Sequence, residues 1–333
     1  MSTLGNETLS TTQELAQLLQ MSVVIPTLNE ERHLRNCLES LVRADFLRKH
    51  FEVVVIDNGS TDSTIQIAES FASELNIRVF VRQRVFISAL RNFGVSMAKG
   101  AYVAFVDADC VVPPNWLRDG MRRVVENGAG IVGAHYRIPA GSSLLATIWD
   151  RHQIAAKVGR VNYVPGGDLM IGRAHFLSIG GFDESIETNE DAELCERARH
   201  AGLSVCSFPE LAVIHYGTPQ SLRAFYRKQR WHGTHVFRVF LRDFPHSENT
   251  RVVLLALFVL GCELGIAFGI VIGLARGEWR LLYVMSTLIV LPALVLSTAK
   301  VATSNAWSDF IGLALLYFTY SIARARCLLN VKT

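Results

Sequence analysis

The sequence predicts an α/β protein: a doubly wound, mainly parallel sheet with helices on both faces, followed by an α-helical membrane region. Short apolar runs of the buried-strand type alternate four times with segments of helical apolar spacing, all within residues 22–126. Three of those strands end in polar, acid-rich turns, where ligands bind in open parallel sheets. Finally, 50% of the 333 residues are hydrophobic and only 19% charged, against about a quarter charged in ordinary globular chains. That composition excludes disorder, collagen and small disulfide scaffolds.

Residues 1–20 are a polar extension without an apolar core of the signal-peptide kind, so no signal peptide is expected. Ser22-Val23-Val24-Ile25-Pro26 opens the sheet. A helix over 31–42 follows, with apolar residues at 34, 38, 41 and 42. Residues 51–57 form a second buried strand, and 63–75 a helix that Asp62 or Ser63 can cap. Residues 78–81 make a weaker third strand and 88–98 a helix. Residues 101–107 make a fourth strand and 116–126 a fourth helix. Short connections between alternating elements favour right-handed parallel crossovers. The domain they begin is expected to run over residues 21–218.

Residues 219–250 place Leu222, Phe225, Tyr226, Val236, Phe237, Phe240 and Phe244 at roughly helical spacing. Arg223, Arg227, Lys228, Arg230, Arg238 and Arg242 lie between them. A basic amphipathic segment of this kind suits an anionic leaflet surface. The region 251–333 holds the apolar excess. Residues 252–275 carry one charge, Glu263, and 281–299 carry none. They would be about 36 and 28 Å long as helices, enough for a bilayer core of about 30 Å. A third run, 310–323, is short for a span. Two spans with an embedded third helix are favoured over three. That arrangement keeps Arg324, Arg326 and Lys332 on the cytoplasmic side with the first domain. A multi-pass protein of the cytoplasmic membrane is expected, its first domain facing the cytoplasm. Glu263, an acid in mid-span, is expected to pair with Ser286, Thr287 or Ser297.

The chain carries 33 basic and 30 acidic residues, of which seven and three lie beyond residue 250. This balance gives no reason to expect a nucleic acid polymer as partner. Six cysteines occur without a CxxC pair, which fits reduced thiols better than zinc. Nothing in the sequence reads out an oligomeric state.

The chemistry concentrates at the strand ends. Asp107-Ala108-Asp109 puts two carboxylates one residue apart at the mouth of the sheet, which suits Mg²⁺ or Mn²⁺. A solvated turn is the bland alternative. Asp57 closes a strand, and an Asx-turn or helix cap is its alternative reading. Asn29 and Glu30 can cap a helix or face a nucleotide.

These segments, taken in order, resemble a family 2 glycosyltransferase of GT-A fold. The resemblance is carried by residues 24–30 (VIPTLNE), 55–62 (VIDNGSTD), 89–94 (ALRNFG) and Asp107-Ala108-Asp109. It continues through Gly166-Gly167-Asp168-Leu169-Met170, Gly181-Phe182-Asp183-Glu184 and Glu190-Asp191-Ala192-Glu193-Leu194, and covers roughly residues 21–240.

The resemblance implies an inverting reaction, a nucleotide-sugar donor and a divalent cation. It implies Pro26, Thr27 and Glu30 along the nucleoside pocket, Asp57 at the base, and Arg91 and Asn92 near ribose and diphosphate. Asp107 and Asp109 would hold ribose and metal, with His215 near the metal or diphosphate. Gly167 and Asp168 would approach the donor sugar. Asp191 would be the general base, with Glu190 as the alternative. Gln229-Arg230-Trp231 resembles the QxxRW element of processive members, but the spacing departs, so polymer synthesis is not expected. Arg230 and Trp231 remain candidates for diphosphate contact. The acceptor expected is a lipid-linked saccharide or a polyprenyl phosphate, in cell-envelope or exopolysaccharide synthesis. Two rivals stand beside this. A nucleotidyltransferase should bring a basic Gly-rich loop after the first strand, where this chain has Thr27-Leu28-Asn29-Glu30. A non-catalytic membrane scaffold should have lost the strand-end acids, which are all present.

Overall fold

The computed structural model describes residues 20–153, 158–234, 236, 240–241 and 250–329. The expectations for residues 1–19 and for Phe237, Arg238, Arg242, Phe244 and Lys332 lie outside the described residues. The chain divides into two compact units, residues 1–139 with 156–217 and residues 140–155 with 218–333. The helix over 144–153 thus belongs with the C-terminal helices, an excursion that no composition shift marks.

In chain order the first unit contains β1 (Met21–Thr27), α1 (Leu34–Val42), β2 (Phe51–Asp57), α2 (Thr64–Ser70) and β3 (Ile77–Val81). α3 (Ile87–Met97), β4 (Tyr102–Val106), β5 (Cys110–Val111), α4 (Trp116–Glu126) and β6 (Ile131–Gly133) follow. After the excursion through α5 (Leu144–Gln153) come β7 (Gly159–Arg160), β8 (Asp168–Gly172), α6 (Arg173–Ser178), α7 (Glu190–His200), β9 (Val205–Ser207) and β10 (Ile214–His215).

Eight strands form one sheet in the order β3-β2-β1-β4-β8-β6-β9-β7, and β5 pairs with β10 apart from it. Strands β1 to β4 are mutually parallel, as the alternation predicts. β8 runs antiparallel to both β4 and β6. The start of β8 therefore lies at the same edge as the ends of β1, β2, β4 and β6. The sheet is buried on both faces, which is why β1 and β2 read as continuous apolar runs. Val23 and Ile25 face Leu34, Leu38 and Trp116. Val24, Val103 and Phe105 face Val95, Phe176, Phe182 and Leu194.

At the opposite edge Glu52, 1% exposed, anchors the first two strands. It accepts from Ser22 Oγ at 2.7 Å, Lys99 N at 2.7 Å and Arg78 Nη2 at 2.6 Å.

The second unit contains α5, α8 (Leu222–His232), α9 (Thr250–Arg276), α10 (Arg280–Leu288), α11 (Leu291–Ser304) and α12 (Phe310–Leu328). Among the described residues, two helical stretches are long and apolar enough to cross a membrane, Thr250–Arg276 and Arg280–Ser304. Only 22% and 17% of their apolar windows are buried, so they present apolar faces outward. The second stretch divides after Leu288, just before Pro292, which has no N–H for the Leu288 carbonyl. The third run extends into a 19-residue helix, α12.

Ile148, Phe225, Ala293, Val301, Leu313 and Leu316 form this unit's core. Asp309, 5% exposed, ties α5 to α12 through Arg151 Nη1 at 2.6 Å and His152 Nε2 at 3.1 Å. Glu263 pairs with Arg326 Nη1 at 2.9 Å, not with the serine or threonine hydroxyls expected from the sequence. Thr287 and Ser297 instead donate to carbonyls one turn back, at Tyr283 and Ala293. A full counter-charge outweighs a neutral hydroxyl when an acid must be withdrawn from water.

Glu52→Ala leaves Arg78, Ser22 and the Lys99 N–H without their shared acceptor. The expected loss of stability is about 3 kcal/mol or more, read from the denaturant midpoint. A change within about 0.5 kcal/mol, ordinary for surface sites, contradicts the assigned role.

Candidate functional site

The loops at the carboxyl edge are knitted together before any ligand is considered. Asp57, fully buried, accepts from Gly59 N at 2.8 Å and Ser60 N at 2.7 Å through Oδ1. Its Oδ2 accepts from Ser60 Oγ at 2.5 Å and Thr27 Oγ1 at 3.1 Å. A carboxylate offers about four acceptor positions, so Asp57 is occupied in shaping its own turn, the Asx-turn alternative. Asn29, at φ 54°, accepts from Thr61 N at 2.9 Å and holds the β1 loop against the β2 loop. Pro26 and Thr27 are buried at the end of β1.

Arg91 sits at the centre. It is 2% exposed and comes from α3. Its Nη2 donates to Asp107 Oδ1 at 2.7 Å, its Nη1 to Glu190 Oε1 at 2.5 Å, and its plane lies 5.5 Å from the Phe182 ring. One cation thereby joins the end of β4 to the first residue of α7. Gly166 makes this possible, since a Cβ there would lie 2.7 Å from Arg91 Nη1. Asp191 follows Glu190 and accepts from Gly166 N at 3.0 Å and Ala192 N at 2.8 Å.

Tyr136, just beyond β6, is the residue that motif reading missed. Its ring stacks on His215 with centroids 4.5 Å apart. Its hydroxyl donates to Asp107 Oδ2 at 3.3 Å and accepts from Gly167 N at 3.0 Å. It follows a short apolar strand that opens at the same edge. That position was its only sequence signal.

The acids share a confined space and raise one another. Burial, then the charges of Asp109, Asp107 and Asp62, push Glu30 up to about 7. Burial and the Asp191 charge push Glu190 up to about 7 against the opposing pull of Arg91. Burial raises Asp191 as well, while the Gly166 N–H and Arg91 oppose it.

Asp109 and His215 supply a carboxylate oxygen and an imidazole nitrogen 3.3 Å apart. A Cβ on Gly217 would lie 2.3 Å from Asp109 Oδ2 and 3.1 Å from His215 Nε2, so glycine keeps that space open. The oxygen and nitrogen donor pair fits Mn²⁺ or Mg²⁺, while Asp107 stands outside this group, its Oδ1 on Arg91 and its Oδ2 on the Tyr136 hydroxyl. Cys110 Sγ is within ligand distance of Asp109 and His215. Burial, followed by the Asp107 and Asp109 charges, raises that thiol well above its ordinary pKa, and a soft sulfur donor suits Mg²⁺ or Mn²⁺ less well than oxygen.

Four candidates fall elsewhere. Asp168 is fully buried and accepts from Trp116 Nε1 at 2.9 Å. Burial raises its pKa well above the carboxylate range, and it is withdrawn from the edge where Asp107 and Asp191 meet. Asn92 donates to Phe182 O at 2.8 Å and accepts from Phe182 N at 2.9 Å, so it positions the 181–184 loop. Arg230 and Trp231 lie on α8 of the second unit with exposed side chains.

Comparisons with known proteins give the family and the fold. The model "Glycosyl transferase family 2" matches residues 22–165 and "Glycosyl transferase family group 2" matches residues 102–297. Glycosyltransferase AglE of Haloferax volcanii is 26% identical over 246 residues, 72% of this chain and 80% of its own. The poly(ribitol-phosphate) beta-N-acetylglucosaminyltransferase TarS of Staphylococcus aureus is 33% identical over 117 residues, 34% of this chain. The match spans only 20% of TarS.

Among solved structures, the mannosyltransferase PcManGT of Pyrobaculum calidifontis, in complex with GDP-Man and Mn²⁺, superposes with a TM-score of 0.65. It is 18% identical over 94% of this chain and 88% of its own. S. aureus TarS 1–349 in complex with UDP gives a TM-score of 0.50 at 24% identity, over 66% of this chain and 65% of its own. These likenesses establish the GT-A-like fold. With family models running from the first strand into the apolar helices, the chain belongs to glycosyl transferase family 2.

Proposed function

We propose that the protein is a membrane-anchored, inverting glycosyltransferase. It moves a sugar from a nucleoside diphosphate donor, UDP-linked in our reading, to an acceptor at the cytoplasmic membrane face. A lipid-linked saccharide or polyprenyl phosphate is the acceptor class we favour, because apolar helices with largely unburied faces tether the catalytic unit where such a molecule resides. The observation that carries the reading is the Arg91 clamp, which fixes Asp107 and the Glu190–Asp191 pair in one network. The relatives' complexes with UDP and with GDP-Man support a nucleotide-sugar donor.

Asp109 and His215 would hold Mn²⁺ or Mg²⁺, which when bound neutralises charge on the departing diphosphate. The protein's own residues do the rest. Glu30, Thr27 and Pro26 border the nucleoside end, and Asp57 keeps that loop in shape. Gly167 brings bare backbone to the sugar, since a Cβ there would lie 2.2 Å from Asp107 Oδ2. Asp191 takes the proton from the attacking acceptor hydroxyl. Glu190 is engaged by Arg91, which leaves Asp191, held by two backbone N–H groups, as the carboxylate available for proton transfer. A single displacement with one base inverts the anomeric centre.

Transfer assayed across UDP- and GDP-sugars with Mn²⁺ or Mg²⁺ should single out one donor. EDTA should abolish the activity and added metal restore it. Asp109→Asn should raise the metal concentration needed, and transfer that survives EDTA overturns the assignment of Asp109 and His215.

Asp191→Asn should lower kcat by roughly 10²–10⁴-fold while donor binding stays near wild type. Turnover within a few-fold of wild type removes Asp191 from the role of base.

The Glu190–Asp191 pair takes up its first proton at about 7. Protonation either blocks the base or loosens the Arg91 clamp, so kcat should fall as pH drops below about 7. An acid limb near pH 4, typical of solvated carboxylates, contradicts this.

A further inference from the structure

Arg324, half-buried near the end of α12, stands apart from the paired charges of the helical unit. Its Nη2 donates to Gln229 Oε1 at 3.2 Å, and its guanidinium lies 4.8 Å from the Tyr320 ring centre. Its Nε and Nη1 are cut off from solvent and have no hydrogen-bond partner. No carboxylate pairs with it among the described residues. Its neighbour Arg326 has Glu263, and Arg151 has Asp309. A withdrawn cation without counter-charge is unfavourable unless something else supplies the charge.

The surroundings show what kind of group that is. Arg324 lines a shallow recess with Gly233, Val236, Val252, Val253 and Leu328. Gly233 keeps it open, because a Cβ there would lie 2.9 Å from Arg324 Nη1 and 2.4 Å from Cys327 Sγ. One cation among apolar walls matches an anionic head on an apolar chain. The Nε–H and both Nη1 hydrogens lie on different edges of the guanidinium. A phosphate oxygen that reaches either side meets a charge-assisted donor.

We propose that the recess around Arg324 binds the phosphate head of a lipid, with the apolar walls taking the first part of its chain. The proposal deepens the reading of a lipid-type acceptor and rests on it. The same site would hold either the acceptor's phosphate or that of a bulk phospholipid, and both are lipid phosphates.

The test is equilibrium binding of radiolabelled farnesyl phosphate to the full-length protein in detergent, with no donor present. Wild type should bind saturably. Farnesol and inorganic phosphate should not compete, and phosphatidic acid in the same micelles should compete only if the site serves bulk lipid as well. Arg324→Gln should weaken binding by about tenfold or more, the scale of one charge-assisted contact. Gly233→Ala, which narrows the recess and keeps the charge, should weaken it by at least about threefold. It serves as the second probe if Arg324→Gln does not fold. Asp191→Asn should bind as wild type does, which separates failure of this site from failure of the transferase reading. Unchanged binding in both Arg324→Gln and Gly233→Ala overturns the proposal. So does equal competition by farnesol, or by inorganic phosphate, which would make the site one for chains alone or for free anions alone.

Discussion

The catalytic unit depends on one buried cation. Arg91 is almost without solvent exposure, so its charge must be met by the protein, and Asp107 and Glu190 meet it from two sides. Those acids come from a strand end and a helix start separated by more than 80 residues of chain. Removing the guanidinium would leave two confined carboxylates facing each other, one already raised to about 7 with the cation in place. The clamp therefore does more than hold two segments together. It sets how much negative charge the edge carries, and hence how readily each acid ionises.

Environment then separates the roles of chemically similar side chains. Asp57 is saturated by its own turn, and Asp168 is buried beside Trp116, where burial raises its pKa. Glu190 is held by Arg91. Asp109 faces His215 across a space that a glycine keeps open. Asp191 receives two backbone N–H bonds and no cation's direct contact. Five acids that read alike in the sequence thus have five settings: a loop organiser, an acid buried in the core, a clamp partner, a carboxylate beside a histidine, and one held by backbone N–H groups, the proposed base. No motif makes those distinctions, because burial and partners do.

Much of the frame was legible in the sequence. The apolar runs of β1, β2 and β4 and the spacing of α1, α3 and α4 follow from burial on both faces of a sheet, a strong local signal. The strand-end rule led to Asp57, Asp107 and Asp109 for the same reason. It failed where direction reverses. β8 is antiparallel, so its beginning and not its end joins the site, and Gly166 and Gly167 arrive there while the Asp168 side chain is already inside the fold. Tyr136 was missed because β6 has only three residues and gives no periodicity. Glu263 was assigned to hydroxyls because its partner, Arg326, lies 63 positions later on a helix whose apolar pattern ends before it.

The helical unit follows the same rule in a more apolar setting. Where a charge is withdrawn, a partner of opposite sign is built in, as with Asp309 between Arg151 and His152, and Glu263 with Arg326. These pairs tie segments far apart in sequence, and they bring specificity that apolar packing between helices lacks. Arg324 breaks the pattern. Its neighbours are a neutral amide and an aromatic face, both of which orient a guanidinium without cancelling its charge. An arginine held in place but left uncompensated is arranged for a negative group from outside the chain, the converse of the proposed cation site at Asp109 and His215.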